Sequence, residues 1–100
     1  MPELGCTVRR VGDYESRTEE YEVRYAVGDA APRGLRIKYQ AARAYEINAA
    51  LDAAVEAARA AVSEAGLEGP SDEVLSQFTW RTVQAAKYEK GEPRTSRLGL

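Results

Sequence analysis

The side chains best suited to act on a partner lie in a short basic block, Arg33, Arg36, Lys38 and Arg43, interleaved with Tyr39 and Tyr45. Cationic side chains neutralise phosphates and aromatic rings stack on bases, so the pattern suits a nucleic-acid strand. The same bases also suit cross-strand ion pairs with Glu19, Glu20 and Glu22, which would leave nothing over for a partner. A pI of about 5.2 favours the ion pairs, because nucleic-acid-binding domains are usually basic.

Three further features could carry a contact. With Val74, Leu75, Phe78, Thr82, Ala85 and Ala86 turned to a core, Trp80 falls on the far side of a helix with Gln77, Gln84 and Lys87. An exposed Trp beside Gln84 is a typical interface anchor, and the competing reading lays Trp80 over the edge of the core. The series Ile37, Ala41, Ala44, Asn48, Leu51, Val55, Ala58, Val62 and Ala65 alternates steps of four and three, which is a heptad seam. Asn48, Leu51 and Val55 would form a dimer seam, with the Asn48 amide fixing register. The preferred alternative packs that face inside one monomer, while the outer alanines 42, 49, 50, 53, 57 and 60 permit close approach of a second backbone. Finally, residues 46–76 carry Arg59 against seven acids. That is either a solvated helix face or a surface for a basic partner.

Catalytic chemistry is thin. The chain has no histidine and one cysteine, Cys6. This removes the usual neutral-pH base, Ser-His and Cys-His pairs, and a structural zinc site. No Gly-rich phosphate loop or calcium loop occurs. Carboxylate-only chemistry remains, in a domain with little room for a cleft. No cofactor or metal is expected, and Cys6 reads as a small hydrophobe on a strand.

The elements that position these residues follow from pattern. One hundred residues are one domain, expected over 1–90 with a flexible tail over 91–100. Tyr21, Val23, Tyr25 and Val27 alternate with polar residues, the period of a half-buried strand. An earlier strand spans about 6–11, with a bulge expected where Arg9 and Arg10 break the alternation. Gly12, Asp13 and Ser16 suit a turn between the two. Leu35, Ile37 and Tyr39 read as a third strand in preference to the first turns of a helix, because Ile and Tyr suit strands and Gly34 precedes them. Residues 41–65 lack Gly and Pro and are rich in Ala, the best helix former, and Gly66 ends them. Gly69-Pro70 breaks the chain, and Ser71 caps a second helix over about 72–90. Strand propensity over 77–83 is the feature that could interrupt it.

The fold class expected is therefore α+β: a two- or three-stranded antiparallel β-meander followed by a long Ala-rich helix and a shorter antiparallel one. Eleven arginines to three lysines and seventeen alanines indicate a GC-rich coding sequence of bacterial or phage type. With no signal-like or membrane-spanning segment, the cytoplasm is the expected compartment. The expected function is a small non-catalytic protein–protein interaction module, an adaptor, regulator or inhibitor of a larger assembly, with a homodimer as one form of partner. The alternative is a dimeric nucleic-acid-binding regulator using residues 33–43.

Overall fold

The computed structural model describes residues 2–11, 17–88 and 91–100. Six elements follow in order: β1 Glu3–Arg10, β2 Thr18–Val27, β3 Arg33–Gln40, α1 Ala44–Glu64, α2 Asp72–Lys87 and β4 Arg94–Gly99. The strands form one antiparallel sheet in the order β3-β2-β1-β4. Both helices lie on one face, α1 against β3 and β2, α2 against β1 and β4. The class is α+β, as the residue pattern predicts, with one strand more.

Period-two burial explains the sheet. Leu4, Cys6 and Val8 from β1 turn inward with Tyr21, Val23, Tyr25 and Val27 from β2 and with Ile37 and Tyr39 from β3. Alternation runs through Arg9 and Arg10 without a bulge: Arg9 pairs with Glu22 and Arg10 with Tyr21 in unbroken register. The expected bulge is absent because Arg10 faces inward as a buried residue at 4% exposure. The turn assigned to Gly12, Asp13 and Ser16 lies outside the described residues.

Ala54, Val55, Ala58, Ala61 and Val62 form the buried face of α1. Alanine there lets the helix axis approach the large tyrosines of β2 and β3. The helix is unbroken, starting at Ala44 where residue 41 was expected, and about 31 Å long at 1.5 Å per residue. It ends in a Schellman motif: Gly66 at φ +73 lets its N–H reach the Ser63 carbonyl while the Leu67 N–H reaches that of Val62. The Ser71 hydroxyl accepts from the Val74 N–H and caps α2, with Asp72 and Glu73 in its positive first turn. Residues 77–83 do not interrupt α2. Its buried face is Leu75, Phe78, Thr79, Thr82, Val83 and Ala86, so Val74 and Ala85 of the expected stripe stay outside.

The tail assignment is corrected. Residues 94–99 pair with β1 from Glu3↔Gly99 to Val8↔Arg94, and the Leu100 N–H continues to the Pro2 carbonyl at 3.1 Å. Without β4, the outer edge of β1 would be bare beside fully buried Leu4, Cys6 and Val8. Leu98 covers that edge opposite Leu4. No helix among the described residues is long and apolar enough to cross a membrane.

Candidate interaction surface

The helices cover one face of the sheet, and none of the described residues covers the other. Antiparallel register places the outward side chains in rows across the strands. One row reads Arg36, Glu22, Arg9, from β3 to β1. Nη2 of Arg9 donates to Glu22 at 2.7 Å and Nη2 of Arg36 to its second oxygen at 2.8 Å, while Nη1 of Arg36 lies 3.9 Å from Glu20. The two guanidiniums hold the Glu22 carboxyl below its ordinary value, the Arg9 bond being the larger cause.

The next row reads Gly34, Arg24, Thr7, Thr95, and beyond it Ala26, Gly5, Arg97. The Thr7 and Thr95 hydroxyls bond at 2.9 Å. Arg24 lies along Gly34, where a Cβ would come 3.5 Å from its Cγ, so the small residue gives the stem its resting place. Gly5, Thr7, Ala26 and Thr95 leave a shallow depression of about 630 Å³ between Arg24 and Arg97. Arg24 also borders the two neighbouring hollows, of about 290 and 240 Å³. Neither Arg24 nor Arg97 has an ion-pair partner among the described residues. Among the described residues the face carries no aromatic ring.

The basic block is divided by the fold. Arg36 and Lys38 project from this outer face, Lys38 standing opposite Glu20 in register. Arg33 is bonded to Glu64, and Arg43 precedes α1, donating to the Tyr45 hydroxyl at 3.0 Å and to Glu46 at 3.4 Å. Tyr39 points the other way, into the core. Arg33, Arg36 and Arg43 therefore meet acids of their own chain. The expected pairing with Glu20 and Glu22 is present for Arg36, and Glu19 faces inward instead.

Trp80 is half-buried, its ring 6.2 Å from that of Tyr39, and Gln84 beside it is also half-buried. Trp80 packs against the core, as the competing reading has it, with part of its ring left exposed. Beneath it lies a buried polar cluster. Glu19, 6% exposed, accepts from the Tyr21 hydroxyl at 2.9 Å, with Arg10 at 3.9 Å and Lys87 at 3.8 Å. Arg10 also donates to the Lys87 carbonyl at 3.0 Å, placing a cation at the negative end of α2 and tying β1 to it. Of the suggested dimer seam, Val55 is buried in the monomer core, Leu51 is half-buried and Asn48 is exposed. The later part of the seam, Val55, Ala58 and Val62, is used within the chain, while α1 turns Ala44 and Asn48 outward.

Cys6 is fully buried, and burial pushes its thiol up to about 12, far from the thiolate a nucleophile requires. No cluster of three or more His, Cys, Asp or Glu side chains converges as a metal site among the described residues. Arg24 and Arg97 were not singled out from the sequence. Alternation in β2 does place Arg24 outward, but Arg97 shows itself only once β4 is recognised as a strand. Comparison with family models, curated proteins and solved structures finds no match to this chain.

Proposed function

We propose that the protein is a small non-catalytic interaction module whose contact surface is the uncovered face of its sheet. The observation that carries this reading is the pair Arg24 and Arg97, unpaired on either side of a depression floored by Gly5, Thr7 and Ala26. Arg9 and Arg36, on the neighbouring row, are by contrast matched by Glu22 of the same chain. A guanidinium held over small residues keeps its planar fork available for a carboxylate. The test is affinity capture with the wild-type chain and with Arg24→Glu/Arg97→Glu. A partner retained by the first and lost by the second supports the reading. Partners that bind both equally, or none at any salt, refute it.

The nucleic-acid alternative draws less support, since Arg33, Arg36 and Arg43 are engaged within the chain and Tyr39 is buried. Mobility shifts that weaken steeply with salt and on Arg36→Ala/Lys38→Ala would reinstate it.

A further inference from the structure

We propose that the partner for this face is a second copy of the same chain, docked sheet to helix in a head-to-tail manner. The inference rests on the sheet face being the contact surface. Its ground is the segregation of unmatched charge between the two layers. On the sheet side, Arg24, Lys38 and Arg97 have no ion-pair partner among the described residues, against one such acid, Glu3; on the helix side, Asp52, Glu56, Glu68 and Glu73 have none, against one such base, Arg81. The two layers face in opposite directions, so one copy presents unmatched bases where the next presents unmatched acids.

Shape agrees with charge. The exposed ridge of α1 alternates alanine with acid, Ala49, Asp52, Ala53, Glu56. The depression it would enter is floored by Gly5, Thr7 and Ala26. Small residues on both sides let backbones approach, and Asp52 and Glu56, one helical turn apart, lie about 6 Å from each other. Arg24 and Arg97 sit two strands and one row apart, roughly 12 Å between Cα atoms at standard sheet spacings, and both border the depression that this ridge would enter.

Symmetric pairing is the poorer solution. Two sheet faces brought together set Arg24 and Arg97 against themselves, and two helix faces do the same to Asp52 and Glu56, at the cost of like-charge repulsion. Only the heterologous arrangement pairs opposite signs, and such a contact leaves a free sheet and a free helix face at its ends, so it propagates. The sheet face measures roughly 19 by 26 Å. That is about 500 Å² per partner, at the low end of specific interfaces, so association is weak and reversible.

Sedimentation velocity on the full chain up to about 1 mM, in about 20 mM and 1 M salt, tests the proposal. The expected result is a concentration-dependent series of oligomers at low salt that collapses toward monomer at high salt, where the screening length falls to about 3 Å. Arg24→Glu/Arg97→Glu and Asp52→Lys/Glu56→Lys each weaken association at least about tenfold. In an equimolar mixture of the two variants every sheet face meets a helix face of opposite sign, so growth resumes with the two variants alternating. All four substitutions in one chain restore growth. A chain that stays monomeric at low salt, a closed dimer indifferent to both variants, or a mixture that associates no better than either variant alone overturns the proposal. Monomeric behaviour together with capture of a different protein through Arg24 and Arg97 overturns it as well, yet leaves the interaction-module reading standing; loss of both removes that reading too.

Discussion

Raising pH should unfold this protein cooperatively near pH 11, and the reason lies in four buried acids of the core. Burial pushes the Cys6 thiol from 9.0 up to about 12 and the Tyr39 phenol from 10.0 up to about 12. Burial likewise raises Tyr21 and Tyr25 above the ordinary phenol value. Tyr21 gains further from its neighbour Tyr39 and from donating its proton to Glu19, a bond that ionisation destroys. In each case the folded chain keeps a proton that the unfolded chain releases. Stability is therefore level below about pH 9 and falls as pH rises, by about 1.4 kcal/mol per pH unit for every such group. Cys6 acts alone from pH 9 to 10, and the three phenols join it above 10. By pH 11 the accumulated loss is on the order of 7 kcal/mol, comparable with the ~5–15 kcal/mol that holds a domain of this size together. Circular dichroism and tyrosinate absorbance followed together from pH 8 to 12.5 provide the assay. The rise in absorbance from the buried phenols should coincide with loss of the far-ultraviolet signal. Tyr39→Phe sharpens the test: its hydroxyl makes no hydrogen bond among the described residues, so the variant should match or exceed wild-type stability at pH 7 and lose stability less steeply above pH 10. Smooth tyrosine ionisation to pH 12 with the far-ultraviolet signal intact would refute the reasoning.

Three other perturbations have defined outcomes. Deleting residues 94–100 should cost on the order of 2–4 kcal/mol in urea unfolding, through lost ladder bonds and exposure of the Leu4–Val8 edge, whereas loss of an unstructured tail would cost nothing. Thr79→Val, which strips the buried Tyr25 hydroxyl of its partner at 2.5 Å, should cost about 1–3 kcal/mol, and combining it with Tyr25→Phe should cost less than the two changes summed; additivity within about 0.5 kcal/mol would show that the bond contributes nothing. Cys6 should resist thiol reagents at pH 8 in the native protein and react promptly in denaturant, as measured by reagent absorbance.

Several elements were legible because local pattern and global packing agree in them. The alternation of Tyr21 to Val27 and the Gly-free, Pro-free run before Gly66 leave one choice each, and Ser71 names its own helix start. The misreadings share a different cause. β4 has one half-buried apolar residue, Leu98, among arginines and threonine, with Leu100 just beyond its end, so its strand character arises from the vacant edge of β1 rather than from its own pattern. Arg10 looks like a break in a strand because a buried arginine is rare, and Glu19 and the end of α2 help make the position tolerable. The heptad series drifted off the true core face for a geometric reason. A helix of 3.6 residues per turn packed on a sheet does not keep a 3.5-residue repeat, so Asn48 and Ala44 rotate outward while Ile47 and Ala54 rotate in. The surface site was the least legible, since it depends on rows running across strands that no linear pattern records.

A two-layer domain of this length has helices enough to cover one face of its sheet, and the other face must be polar whatever the protein does. Polarity alone is therefore uninformative, and the arrangement of charge within it carries the meaning. The row through Glu22 shows how this chain builds a surface meant only to meet water: one acid stands between two bases, and both bonds close within the sheet. The next rows break that rule. Arg24 is set beside Gly34 and Thr7, and Arg97 beside Gly5, so neither has an acid across the strands even though glutamates stand one and two rows away. Replacing Thr7 by Glu would supply the missing acid directly opposite Arg24. If the face serves only solvation, Thr7→Glu should leave association and partner capture untouched; if the unmatched guanidiniums are the contact, the added acid should abolish both while the fold, read by its thermal transition, stays within about 0.5 kcal/mol of wild type.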